Sequence, residues 1–546
     1  MSWENEYPRP QLVRGNYQII HEGWTLNGLP IKMPFPPEAK ASEYEGEITG
    51  KLSYLVKFQL EREPKKEKIL LHFGAVDQTA TVFVNSMRVG SHEGGYLPFT
   101  CDITSAAKVG ENLLRVEAFD DGNRLYPYGK QSKKPHGMWY TPVSGIWQQV
   151  WLEYVPEDGI TDLRIHTTMT ELRMKPVTTA SMLVVTISDR ENNVLRKFQT
   201  ADKKIVVNFR ELNLPIHLWS PEDPYLYGLT LETENDKVES YFALRELSIQ
   251  EYKGYRRFFL NDRPIFLQGV LDQGYFEEGI YLPARPEDYD EDVLRMKELG
   301  MNTLRKHIKV EPERFYYACD RLGMLVIQDM VNNGGYNFLF DTALPNIGLA
   351  RRHDRFPWGK KYKRVFERHS IGIIRKVRNH PCVIGYTIFN EGWGQFEADR
   401  VYDLLKREDP TKFFDATSGW FRQKKSDVDS RHVYFKNKLL TAKDKPLLLS
   451  ECGGYTRGIE GHLYRPDVKY GYGDTAKQEE LMARMESLYW DMVLPSIGKG
   501  LCGCIYTQLS DVETEINGLY TYDRLVCKVD KEKMRSLAAK LQNELN

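Results

Sequence analysis

Two short stretches end an apolar run abruptly in a glutamate: FNEGWG at 389–394 and LSECGG at 449–454. A carboxylate at the end of an otherwise buried-looking strand invites a chemical reading. Two such carboxylates facing each other form the apparatus for glycoside hydrolysis. One is kept protonated to donate to the leaving oxygen, and the other is kept ionised to attack the anomeric carbon. A separation of about 5–5.5 Å corresponds to a covalent glycosyl-enzyme and retention, and a wider gap to inversion. The plainer alternative for any single glutamate is a solvated residue or the cap of the next helix. Two of them, each flanked by glycine and each closing an apolar strand, favour the chemical reading.

The chain must bring Glu391 and Glu451 to one place. After EYKGYRRFFLNDRPIFLQGV (251–270), apolar β-runs alternate with helix-period segments. PIFLQGV, NTLRKHI, MLVIQDM, CVIGYTIFNE, FFDATSG, HVYF, PLLLSEC and GLCGCIYTQLSD read as eight strands. Helical segments such as YDEDVLRMKELG, EPERFYYACDRLG and KRVFERHSIGIIRKVRN lie among them, with a long irregular loop before the last of these. This is the rhythm of a (β/α)8 TIM barrel, whose catalytic groups sit at the C-terminal ends of the strands. Glu391 closes the fourth strand in this count and Glu451 the seventh, so both point into one mouth.

Upstream the pattern is β throughout. KLSYLVKFQL, KILLHFGAV, ATVFVNSMRVG, ENLLRVEAF and SGIWQQVWLEYV predict an all-β sandwich over residues 1–156. A second set, from ITDLRIHTTM to KVESYFALREL, predicts a small immunoglobulin-like β-sandwich over 157–250, which leaves 251–546 for the barrel.

Composition narrows the function classes. Among 546 residues, 41% are apolar and the formal net charge is −1, which gives no reason to expect nucleic acid or an anionic membrane as partner. The 32 Tyr and 10 Trp suit flat, amphipathic contact surfaces. The 7 Cys show no CxxC or Cys/His spacing, so free thiols in a reducing compartment are expected. The start, MSWENEYPRPQLVR, lacks a signal-peptide pattern, and no run of some 18 apolar residues occurs, so a cytoplasmic protein is expected.

Several stretches together resemble glycoside hydrolase family 2. NHPCVIGYTIFNEGWGQ (379–395) looks like that family's acid/base signature, and KPLLLSECGGY (445–455) is similar to its nucleophile segment. GAVDQTATVFVNSMRVGSHEGGYLPFTCDIT (74–104) and SGIWQQVWLE (144–153) resemble its jelly-roll sugar-binding domain. LWSPEDPYLY (218–227) with FALRE (242–246) resembles its immunoglobulin-like domain, and YTQLSDVETEINGLYTYDR (506–524) the segment after its eighth strand. The resemblance runs through essentially the whole chain in the family's order.

The resemblance implies Glu391 as acid/base and Glu451 as nucleophile, with Asn390 binding the sugar's 2-hydroxyl. It places Arg305 near the nucleophile, where a fixed cation keeps a carboxylate ionised. Tyr434 is either a hydrogen-bond donor to Glu451 or a buried aromatic between strands. Trp393 and Trp420 are stacking platforms or core tryptophans. Asp272, Gln273 and Tyr275 follow the first strand and belong to the mouth by position. His307 fits less closely, since the family often spaces Arg and His by three positions where this chain spaces them by two. Ser418 also ends a strand, but no activating base is evident, which speaks against a serine hydrolase.

The departures concern the sugar. LDQGYF (271–276) stands where family galactosidases and glucuronidases usually carry an Arg-His pair. Glu515 and Asn517 occupy the places of the Asn-x-Lys pair with which bacterial glucuronidases hold a carboxylate, and a glutamate there repels a uronic acid. IQDMVNNGGYNF (327–338) offers no acidic and histidine cluster for magnesium, so neither catalytic metal nor cofactor is expected. An acidic residue that related enzymes place shortly before SGI is missing, since 122–144 contains no Asp or Glu. The expectation is a retaining exo-glycosidase for a neutral sugar, galactose first, with a pentose or furanose (arabinofuranose, galactofuranose) as alternative. Glucuronidase, transglycosylase and non-catalytic carbohydrate-binding readings rank below it. An oligosaccharide or small glycoside is the expected partner, and self-association an expectation from the family.

Overall fold

The computed structural model describes residues 2–64, 66–346, 349, 354 and 359–545. At its centre eight strands form one parallel barrel sheet: Leu267–Asp272, Thr303–Lys306, Leu325–Asp329, Val383–Asn390, Phe413–Ser418, Asp429–Val433, Leu447–Gly453 and Leu501–Thr507. Hydrogen-bonded neighbours run five–four–three–two–one–eight–seven–six. Strands five and six share no ladder among the described residues. Side chains span that seam instead, with Ser418 Oγ 3.2 Å from Ser430 Oγ and 3.0 Å from His432 Nε2.

The barrel strands are buried on both faces, as their unbroken apolar runs require. The fourth strand, VIGYTIFN, is buried at every position. The helix Lys360–Val377 shows how the outer layer is held, since Val365, Phe366, His369, Ile373 and Val377 recur at helical spacing on its buried face. Each such large apolar side chain contributes about 1.5–3 kcal/mol on burial. The loop expected before this helix lies partly outside the described residues, and its described part carries short helical turns at 339–346.

The first domain packs a six-stranded against a four-stranded antiparallel sheet. Its strand Lys51–Leu60 turns Leu52, Tyr54, Val56, Phe58 and Leu60 inward, a clean period of two. The middle domain contains two strands that apolar patterning did not reveal, Glu171–Val177 and Val194–Thr200. The second is an exposed edge strand, so it has little apolar face to show. Val13–Arg14, read with the first domain, instead pairs with Lys237–Phe242 of the middle one. Arg14 ties the two domains there, its guanidinium 2.5 Å from Glu153 and 2.7 Å from Asp236, all three buried. No helix among the described residues is long and apolar enough to cross a membrane.

Over the C-terminal mouth of the barrel leans the first domain's segment 122–144. Tyr128 Oη donates to Gly334 O at 2.7 Å, Glu513 accepts from Thr141 N–H at 2.8 Å, and Tyr140 Oη donates to Glu515. The site therefore sits between two domains.

Candidate active site

Glu391 is the first residue past the fourth strand and takes a left-handed backbone, φ 51°, followed by Gly392 and Gly394 at 74° and 67°. A non-glycine residue in this region costs about 1–2 kcal/mol, which marks the turn as one that aims a side chain. Its N–H is bonded to Ser418 O at 3.0 Å. At Gly392 a Cβ would stand 2.3 Å from the Phe421 ring, so glycine is required there for space as well as for φ. FNEGWG is thus a sharp strand-end turn.

Glu451 lies inside the seventh strand. Arg305 Nη1 donates to its Oε1 at 3.0 Å, and Tyr434 Oη donates to its Oε2. The same guanidinium reaches Asp329 Oδ1 at 3.0 Å, Ser450 O at 3.0 Å and Asn390 Oδ1 at 2.9 Å, and it is fully buried. Burial alone would raise the Glu451 carboxyl, but His432, Arg305 and His307, with the bond from Tyr434, hold it down at about 2. Burial and the neighbouring Glu451 push the Tyr434 phenol well above its ordinary value, so it stays a donor. His307 Nδ1 rests 2.7 Å from Asp329 Oδ2, and burial with the field of Lys130 pushes that ring down to about 4.

One imidazole touches both carboxylates. His432 Nδ1 is 2.8 Å from Glu391 Oε1, and its Nε2 is 3.6 Å from Glu451 Oε1. One oxygen of each glutamate and a ring nitrogen of His432 all lie within 4.8 Å of one another. Sequence reasoning passed over His432, although it stands two residues before Tyr434, where strand alternation puts both on one face. Ser418 therefore does have a nitrogen base within reach. It is nonetheless fully buried, and its hydroxyl is shared with Ser430 and Ser450, so it serves the seam.

The pocket around the carboxylates is lined by Asn390, Glu391, Trp393, Tyr434, Glu451 and Glu515, with Gln273 and His307 from the first two strand ends. Its further walls come from elsewhere in the chain, among them Lys130 and Trp139 of the first domain, Tyr336, Tyr470 and Tyr472. Trp393 packs edge-on against Trp139, 5.1 Å between ring centres. Three expected members lie elsewhere. Asp272 turns toward the second strand and is paired with Lys306 at 2.6 Å, while Tyr275 packs into the aromatic contact with Tyr140 and Tyr281 between domains. Trp420 lies against the far edge of His432, 5.4 Å between ring centres, in a cleft beside the strand-five/six seam.

Eight parallel strands with two glutamates at one mouth, one of them held ionised by a buried arginine, define a TIM barrel with paired carboxylates at its catalytic end. Family models place it further. Residues 29–156 match the sugar binding domain of glycosyl hydrolases family 2, 160–245 match the family 2 model itself, and 252–478 match its TIM barrel domain. The chain belongs to glycosyl hydrolases family 2. It is 26% identical over 382 residues to a beta-galactosidase of Thermoanaerobacter pseudethanolicus, covering 66% of this chain and 48% of that protein. It is 26% identical over 386 residues to a beta-glucuronidase of Bacteroides fragilis, covering 64% and 52%. The chain thus spans about half the length of these curated relatives. Among solved structures, a beta-glucuronidase of an uncultured Clostridium species superposes with a TM-score of 0.75 at 18% identity, covering 97% of this chain and 99% of that one. That of Dictyoglomus thermophilum gives 0.74 at 18% identity, covering 99% of each chain. At such identity these likenesses speak for the fold.

Proposed function

We propose that this chain is a retaining exo-glycosidase that releases a terminal neutral sugar, with Glu451 as nucleophile and Glu391 as acid/base. The observation that carries the reading is the approach of the two carboxylates, one oxygen of each within 4.8 Å of the other. Inverting pairs stand about 6.5–9.5 Å apart to admit a water between them.

The roles follow from the surroundings. Arg305 and Tyr434 keep Glu451 ionised and oriented, ready to attack the anomeric carbon as the glycosidic bond breaks. Glu391 gives its proton to the leaving oxygen, then takes one from the water that releases the sugar from Glu451. Asn390, fixed by Arg305, faces the sugar's 2-hydroxyl.

The pocket's free volume is about 40 Å³, far below the ~300–1,000 Å³ of ligand sites. Trp139, Tyr336 and Phe338 separate it from a cavity of about 1010 Å³ that they also line. A sugar enters when these rings shift toward that cavity, and the leaving group then occupies it. One enclosed ring position with an open space beside it supports an exo mode.

With Glu451 paired to Arg305 and Glu391 carrying the proton it donates, Glu515 faces the pocket opposite Lys130, and His307 is neutral near pH 7. This balance favours a neutral sugar, with β-galactoside first and arabinofuranoside or galactofuranoside as alternative. Lys130 has no carboxylate partner among the described residues, which keeps a uronide as second reading. A panel of nitrophenyl pyranosides, furanosides and a glucuronide decides. Turnover led by the β-galactoside supports the first reading, and turnover led by the glucuronide overturns it.

A further inference from the structure

Glu391 and Glu451 open onto the C-terminal face of the barrel. On the opposite face, where residues 378–381 and 409–412 lead into the fourth and fifth strands, the middle domain and the barrel enclose another cavity, of about 570 Å³. Arg164, Arg173, Lys175 and Lys204 line it from the middle domain, and Arg245, Arg378 and Lys412 from the junction and the barrel loops. Of these seven cations two have a carboxylate within 4.0 Å among the described residues, Arg173 with Glu171 at 2.6 Å and Arg378 with Asp162 at 4.0 Å, and the other five have none. The lining acids are two, Glu246 and Asp409, and the oxygens of Asp409 already accept from Tyr386 at 3.2 Å and Thr411 at 2.6 Å.

Two of the cations are deeply buried. Lys412 is 8% exposed and Arg245 6%, and the ammonium of Lys412 donates no hydrogen bond to any described residue. Among the described residues Arg245 reaches only the Val383 carbonyl, at 2.8 Å, and the buried Nε of Arg378 has no partner. Charges withdrawn from water without counter-ions are costly, and like charges gathered together more so. Burial and Arg245 push the Lys412 ammonium down to about 7, and burial with Arg164 lowers Arg378. A structural salt-bridge network would carry acids in matching number. This cavity carries donors that converge on open space.

We propose that the cavity between the middle domain and the underside of the barrel binds a small oxyanion carrying two or more negative charges, the chemistry of a phosphate group, with Lys412, Arg245, Arg378 and Arg164 as its ligands. The volume lies within the range of small-molecule sites, about 300–1,000 Å³, so a phosphorylated small molecule fits as well as free phosphate. Arginine and lysine are the side chains suited to such an anion. The site is separate from the glycosidase pocket and does not depend on the sugar assigned there.

The test is thermal unfolding and titration calorimetry of the full chain with inorganic phosphate, glucose 6-phosphate, and chloride at matched ionic strength. Phosphate is expected to raise Tm by several degrees beyond chloride. Tighter binding of the ester than of inorganic phosphate would identify an organic phosphate as the occupant, and equal binding free phosphate. Lys412→Met removes an unpaired buried cation, so the phosphate-free variant should melt at or above the wild-type temperature while binding phosphate at least 10-fold more weakly. Arg164→Ala, at a half-exposed position, should weaken binding comparably without loss of stability. A wild-type shift no larger than chloride's, or undiminished binding in both variants, would overturn the proposal.

Discussion

His432 places Nδ1 2.8 Å from Oε1 of Glu391, the carboxyl proposed to give and then take back a proton. Its other nitrogen is held by Ser418 Oγ at 3.0 Å, so the ring cannot swing away without breaking the strand-five/six seam. The imidazole therefore positions the proposed acid/base and supplies it with a hydrogen-bond partner in either protonation state. Replacing His432 by Ala should lower kcat/KM about 10–100-fold for glycosides with poor leaving groups, a fraction of the ~10²–10⁴ that acid–base catalysis supplies. Nitrophenyl glycosides with good leaving groups should suffer much less. Equal losses on both, with an unmoved pH profile, would reduce His432 to a purely structural part.

Arg305 is the hub of the site's other half, since it contacts Glu451, Asp329 and Asn390 at once. Arg305→Met leaves two buried carboxylates without their cation, a loss of about 3–5 kcal/mol of stability. The acid limb of kcat/KM should also move upward, because Glu451 loses one of the charges that keep it ionised. A variant with unchanged unfolding midpoint and acid limb would contradict the assignment of Arg305.

The Glu451 carboxyl is held at about 2, below its ordinary value of 4.5, so its folded pKa is depressed. The stability this contributes is complete above about pH 5 and is lost as pH falls through the folded value near 2. Urea midpoints followed from pH 5 to 2.5 should therefore fall more steeply for the wild type than for Glu451→Gln. Parallel curves would show that Glu451 is not held ionised.

Gly392→Ala adds a methyl that meets the Phe421 ring at 2.3 Å in a left-handed conformation, φ 74°. A loss of about 1–3 kcal/mol is expected from the backbone alone. Activity should fall further than stability, because the turn aims Glu391. An unaffected kcat would mean that the turn does not position the acid/base.

The barrel and its two glutamates were readable because both signals are local: an apolar run long enough for a strand, and a carboxylate at its end. His432 was readable in principle, by alternation from Tyr434, and went unread because a lone histidine on a short strand resembles any core histidine. Asp272 and Tyr275 show the limit of reasoning by position. They follow the correct strand, but whether a side chain turns to the mouth or to Lys306 and Tyr281 depends on neighbours distant in sequence. The pocket walls Lys130, Trp139, Tyr470 and Tyr472 come from loops of two domains, and no periodicity announces which loop will fold over which mouth. The edge strand Val194–Thr200 escaped for the opposite reason, having almost no buried face to leave a pattern.

The central claim is that Glu451 attacks the sugar and Glu391 handles the proton. It is tested most directly by the anomeric configuration of the glycosyl azide formed when azide rescues Glu451→Gly and Glu391→Ala on an activated aryl glycoside. With Glu451 removed, azide replaces the nucleophile and should yield the inverted azide. With Glu391 removed, the glycosyl-enzyme still forms and azide should give the retained product. The opposite pairing, or turnover of Glu451→Gly without azide at the wild-type rate, would contradict the account.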